Sequence, residues 1–153
     1  MDFMSKILSY ILFIGFVVGA GLLAGLTNAP GDWYQSLEKP FFNPPSWLFG
    51  PVWTTLYVLI GIAGARIWQR APQSAAMQLW FAQMALNLMW SPAFFGLENP
   101  ELALAVIAGM LVTITAFMAK ARSIDRISAL LFIPYLAWVG FASLLNLSIA
   151  WLN

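Results

Sequence analysis

Five stretches of this chain, residues 7–26, 49–68, 77–97, 102–119 and 127–152, stay apolar for long enough to cross a lipid bilayer. A helix rising about 1.5 Å per residue needs about 20 residues to span a hydrocarbon core about 30 Å thick, and it satisfies its own backbone polar groups on the way. Composition closes off the water-soluble alternative. Only 8% of residues are charged and 61% are hydrophobic, whereas soluble domains carry about a quarter charged residues. The expected fold class is therefore an all-α integral membrane protein: a single domain over residues 1–153, a bundle of five transmembrane helices with a long structured first loop at 27–48. The lipid bilayer is its first partner.

The rare polar residues exclude several functions. Seven Lys or Arg against six Asp or Glu give a net charge of +1, which offers nucleic acid no basic face. Cysteine and histidine are both absent, so disulfides, thiolate nucleophiles, zinc sites and a proton shuttle near neutral pH are not available to this sequence. No metal site and no resident cofactor are expected. Every Asp and Glu falls outside the apolar stretches, and Arg66 lies near a helix end where its stem can snorkel to the headgroups. Proton-coupled pumps and small multidrug exporters usually need a carboxylate inside the bilayer, and none is present. The odd number of helices and the lack of an internal repeat also argue against a two-halves transporter.

Local signals set the helix ends. Asn99, Pro100 and Glu101 read as N-cap, first-turn proline and acidic first turn; Pro51 suits the first turn of the second helix, and Ser123 or Asp125 can open the last. Pro92 and Pro134 fall inside the third and fifth predicted helices, where each removes a backbone donor and should produce a kink. Lys6, Arg66, Arg70, Lys120, Arg122 and Arg126 lie on one side of the membrane and Lys39 alone on the other. The positive-inside rule then puts the N-terminus in the cytoplasm and the C-terminus outside, in a membrane expected to be the bacterial cytoplasmic one. A cleaved signal peptide is the alternative for 7–26, but its apolar run exceeds the usual core of about 7 to 15 residues. Gly15 with Gly19 and Gly21 with Gly25 form small-xxx-small pairs on that helix, suited either to close packing within the monomer or to a dimer face.

Converting sequence position into depth brings several side chains to a common level. Trp53 lies about 9 Å and Tyr57 about 15 Å below the outer face, with Trp90 at about 10 Å and Asn87 at about 15 Å. On the last helix Asn146, Ala142 and Trp138 lie at depths of about 9, 15 and 21 Å, and with Tyr135 they share one face. The bland account makes the asparagines interhelical glue and the tryptophans interfacial anchors, which suits Trp47, Trp68 and Trp151. Trp53, Trp90 and Trp138 sit too deep for that belt, so a pocket with a few convergent polar groups is the better reading. Gln83, Asn87 and Ser91 add a polar stripe to the third helix. The 27–48 connection is longer than the usual helix connection of about 2 to 8 residues. Trp33, Tyr34, Phe41, Phe42 and Trp47 alternate there with Pro30, Pro40, Pro44 and Pro45. That composition favours an ordered lid over disorder.

These residues are similar to those of the translocator protein (TspO/MBR) family, the tryptophan-rich sensory proteins or peripheral-type benzodiazepine receptors. The resemblance covers nearly the whole chain. It is carried by Trp33-Tyr34-x-x-Leu37-x-Lys39-Pro40-x-x-x-Pro44-Pro45, by Trp53-Thr54-x-Leu56-Tyr57, by Asn87-x-x-Trp90-x-Pro92-x-Phe94-Phe95-Gly96, and by Pro134-Tyr135-Leu136-x-Trp138 with Leu145-Asn146. It implies a five-helix bundle, often a homodimer, whose cavity beneath the first loop accepts porphyrins, sterols in some members, and synthetic isoquinolines or benzodiazepines. Trp53, Asn87, Trp90, Trp138, Ala142 and Asn146 match family positions that line that cavity.

The full candidate ligand-binding set is Trp33, Tyr34, Trp53, Tyr57, Asn87, Trp90, Tyr135, Trp138, Ala142 and Asn146. The family's cholesterol motif is incomplete, because residues 136–140 after Tyr135 contain no base; the reversed pattern from Arg126 through Phe132 to Leu136 is present. The leading expectation is a binding protein for a porphyrin or other tetrapyrrole. Two alternatives follow from the resemblance: light- and oxygen-dependent porphyrin breakdown with Trp53 and Trp138 as redox partners, and transport of porphyrin or sterol. With no acid-base pair or nucleophile in the pocket, a conventional enzyme is not expected.

Overall fold

Helix formation follows the apolar runs, and the turns follow the caps. The computed structural model describes residues 1–153 and is helical throughout, without strands. Its α-helices are α1 (Phe3–Thr27), α2 (Asp32–Ser36), α3 (Phe49–Arg70), α4 (Ala75–Ser91), α5 (Pro100–Ala121), α6 (Arg126–Leu131) and α7 (Ile133–Leu152). A 3₁₀ turn at Ser46–Leu48 leads into α3, and a π turn at Pro92–Gly96 follows α4. Side chains cap four of the starts: Asp2, Ser74, Asn99 and Asp125 accept from Ser5, Met77, Leu102 and Ser128 backbone N–H groups respectively. The expected cap at Asn99, with Pro100 in the first turn, is in place.

Four segments are long and apolar enough to cross a membrane: Phe3–Thr27, Ser46–Arg70, Pro100–Ala121 and Arg126–Leu152. The third expected span, 77–97, divides instead into a 17-residue α4 and the π turn. Pro92 is the cause. It has no N–H to donate, and the chain beyond it re-forms with wider turns, Leu97 N–H reaching the Pro92 carbonyl at 2.8 Å. Pro134 also does more than kink. The last expected helix is interrupted at Phe132, between α6 and α7, and Pro134 lies in the first turn of α7, where its missing donor costs nothing.

Packing shows which solvent the bundle is built for. In the 25 residues of α1 only Ser9, Val17 and Gly21 are buried, while Phe3, Leu8, Ile11, Leu12, Phe16 and Leu23 are exposed. A face this apolar has no place in water and a ready one in lipid. Helix α1 lies mainly against α3, α4 against α5, and α7 against α5. The α1–α3 contact is close because Gly61 leaves room: a Cβ there would come within 2.7 Å of the Ile14 Cα. Of the glycines on α1, only Gly21 meets a neighbour, the Tyr57 ring; an added Cβ at Gly15, Gly19 or Gly25 would find nothing within 4 Å.

Trp80 fills the centre of the core. Its indole N–H donates to the Ile60 carbonyl at 2.9 Å in a buried setting, and its ring meets Phe13 edge-on at 5.1 Å. Gly64 supplies the space beside it, since a Cβ there would lie 2.5 Å from the indole. Phe117 and Phe132 continue the core with ring centroids 4.3 Å apart.

Arg66 does not snorkel. Its Nε and a second guanidinium nitrogen donate to both oxygens of Asp125, at 2.7 and 3.0 Å, and Asp125 also accepts from the Ser128 hydroxyl at 2.6 Å. This ties the start of α6 to α3. Chiefly through the Arg66 hydrogen bonds, the Asp125 carboxyl is held down from 3.8 to about 2. A carboxyl with a depressed folded-state value stabilises the fold above its unfolded value and loses that contribution as pH falls through the folded one. Detergent-solubilised protein should therefore lose about 2 kcal/mol between pH about 4 and about 2. Asp125→Asn should start from the weakened state and have a flatter stability profile across that window, as read by thermal unfolding.

Candidate functional site

The helices α3, α4 and α7 do not close completely against one another. Between them, bounded also by α1 and α5, lies a cavity of ≈ 380 Å³, within the range of about 300 to 1,000 Å³ usual for small-molecule sites. Eight of the ten candidate residues line it: Tyr34, Trp53, Tyr57, Asn87, Trp90, Trp138, Ala142 and Asn146. None of its lining side chains is charged.

Helical spacing explains the convergence. Trp53 and Tyr57 are one turn apart on α3, with ring centroids 5.5 Å apart. Asn87 and Trp90 are three residues apart on α4, and Trp138, Ala142 and Asn146 step by four along α7. The amides also bind these helices together. Asn87 donates to the Tyr135 hydroxyl at 2.8 Å, and that hydroxyl donates to Gln83 at 2.8 Å, in a fully buried chain. The Trp90 indole donates to Asn146 at 3.0 Å, and Asn146 in turn donates to the Pro100 carbonyl at 2.8 Å. The glue and pocket readings of these asparagines are thus compatible, because each amide bridges helices while part of its surface faces the hollow.

Two candidates lie elsewhere. Tyr135 is completely buried and sits behind Asn87, holding it rather than lining the cavity. Trp33, on α2, packs edge-on against Phe94 at 5.7 Å and does not itself line the hollow. Its neighbour Tyr34 does line the cavity and meets Phe95 at 5.4 Å. Burial raises the Tyr34 phenol above its usual range, so it stays a neutral hydroxyl.

The first loop folds as a lid. Trp33, Tyr34 and Leu37 pack on a small core of Ala93, Phe94, Ala103, Val106 and Ile149. Farther along, Phe42 rests on Phe141 at 6.1 Å. The backbone N–H of Glu38 donates to the Asn153 side chain at 3.1 Å, whose amide nitrogen returns a bond to the Glu38 carbonyl at 2.9 Å. Phe41 and Trp47 point outward and are exposed, as interfacial anchors do.

Several lining residues were not among the candidates. Gly21, Gly25 and Asn28 on or next to α1, Asn43 in the lid, and Ile107 and Met110 on α5 all border the hollow. The glycine pair was visible, but its spacing alone does not distinguish space for a helix from space for a ligand. Asn43 carried no periodic signal. Two polar atoms of lining residues are fully buried and have no hydrogen-bond partner: the indole N–H of Trp138 and the side-chain oxygen of Asn43.

The bundle and its hollow define the class: an integral, multi-pass helical membrane protein whose helices enclose an uncharged aromatic and amide cavity beneath a folded first loop. The chain belongs to the TspO/MBR family, whose profile matches residues 13–152. It is 38% identical to the tryptophan-rich protein TspO of Chlorobaculum tepidum, over 97% of this chain and 98% of that protein. It is 36% identical to the tryptophan-rich sensory protein of Cereibacter sphaeroides, over 95% and 94%. Identity to the human translocator protein is 33%, over 88% of this chain and 78% of that one.

Proposed function

We propose that this protein binds a flat, largely apolar molecule of the tetrapyrrole type within the membrane, between the indoles of Trp53, Trp90 and Trp138. The observation that carries this reading is the cavity itself. Three indoles from three helices border one uncharged hollow, and planar aromatic ligands stack favourably on such rings. The names of the relatives, sensory protein and translocator protein, fit a protein that takes up a ligand.

The topology that goes with this reading has five spans, with α4 and its π turn together forming the one that falls short on α-helical length. The six-to-one distribution of basic residues would place the N-terminus in the cytoplasm and the lid outside. Titration with protoporphyrin, followed by tryptophan fluorescence, tests the site. Trp53→Phe with Trp138→Phe should weaken binding by roughly tenfold or more, the size of one or two lost indole stacking contacts. Equal affinity in a folded double variant would place the ligand elsewhere.

A further inference from the structure

The cavity contains no charge, yet one cation of the lid lies against a residue that lines it. Lys39 is the only basic residue between Lys6 and Arg66 in the sequence, and it sits in the lid, half-buried. Its ammonium lies 4.5 Å from the centre of the Tyr34 ring, and Tyr34 lines the cavity. Its one hydrogen bond is to the Leu37 carbonyl, at 3.2 Å.

No carboxylate pairs with it. Glu38 is its neighbour in sequence and Asp32 lies in the same loop, but the ion pairs of the molecule are confined to Asp125 with Arg66 and Arg70. An ammonium carries three donors, so Lys39 has two to spare on the face of a lid aromatic. Its half-buried stem holds it there instead of letting it range freely through water.

The two facts bear on each other. An ionised acid drawn into an uncharged, apolar hollow loses its hydration and gains no counter-charge, at a cost too large for ordinary binding. The same acid left at the lid end can keep part of its hydration and pair with a cation. We infer that Lys39 is the anion-recognition residue of this site: it pairs with a carboxylate on the edge of the ligand, so that the apolar ring points inward to Trp138 and the acidic edge outward to the lid. This rests on the binding function proposed above and adds an orientation and a selectivity to it. A lipid phosphate could supply the same anionic oxygens, and the test is built to separate the two sources.

Protoporphyrin, a dicarboxylic acid, and its dimethyl ester are titrated against the full chain in an uncharged detergent free of added lipid, with tryptophan quenching as the readout. The wild type should bind the diacid roughly tenfold more tightly than the diester, as expected for one charge-assisted contact. Added salt should shrink that preference. Lys39→Met keeps an apolar stem against Tyr34 and removes the charge; it should abolish the preference. Lys39→Arg should restore most of it.

An acid preference that survives in Lys39→Met overturns the inference. So does a loss of diacid and diester binding in equal measure, which would mean that the lysine serves only to fold the lid. If the preference appears only after anionic lipid is added, the lysine answers to the membrane surface and the inference also fails. Wild-type protein that binds neither compound would instead remove the tetrapyrrole reading itself.

Discussion

Replacing Trp80 with alanine should cost about 3–5 kcal/mol and lower the unfolding temperature in detergent by about 10 °C or more. The indole is completely buried and lies among three elements at once, against Phe13 of α1, Gly64 of α3 and Phe81 of its own helix. Gly64 has no side chain to move into the vacated space, so the cavity would persist. The hydrogen bond to the Ile60 carbonyl would be lost as well. Trp80 does not border the ligand cavity, so a folded remnant of Trp80→Ala at low temperature should still bind. Thermal unfolding of the two proteins side by side decides it; a loss below about 1 kcal/mol would mean the helices collapse into the gap.

Trp80 also marks what the sequence conceals. Its depth is as readable as that of Trp53 or Trp90, yet it is core and they border a hollow. The difference lies in the partners. Trp80 faces Gly64 and Phe13, which meet it closely, whereas Trp53 and Trp138 stand on α3 and α7, which leave a hollow between them. Periodicity gives the face a residue occupies, but not the separation of the helices behind it.

The break at Phe132 and the π turn after Ser91 were hidden for a related reason. Proline announces that a helical bond will be missing, but whether the chain bends, restarts or widens depends on what the neighbouring helix allows. Arg66 is the third case. Its position near a helix end suggested a solvent-seeking side chain, and only the fold brings Asp125, 59 residues away, to its guanidinium. By contrast the apolar spans, the cap at Asn99 and the aromatic-proline loop are local properties, and they could be read directly.

The second large effect concerns the hollow rather than the core. Ala142→Phe should lower protoporphyrin affinity by about a hundredfold or more while leaving unfolding temperature nearly unchanged. Ala142 stands on α7 one turn from Trp138 and one turn from Asn146, and borders the cavity with both. A phenyl ring there would project into open space, so the overpacking strain of about 1–3 kcal/mol that accompanies such a substitution in a filled core should be largely absent. The same ring would occupy the region where a planar ligand must lie between indoles, and a hundredfold loss corresponds to about 2.7 kcal/mol of excluded contact. Gly15→Ala is the matching control, since it adds bulk on a face of α1 with nothing within 4 Å and should change neither property. Fluorescence titration and thermal unfolding, applied to all three proteins, separate the possibilities. If Ala142→Phe folds and binds as well as the wild type, the ligand does not lie between these indoles; if it unfolds, the space in front of Ala142 is less open than the structure indicates.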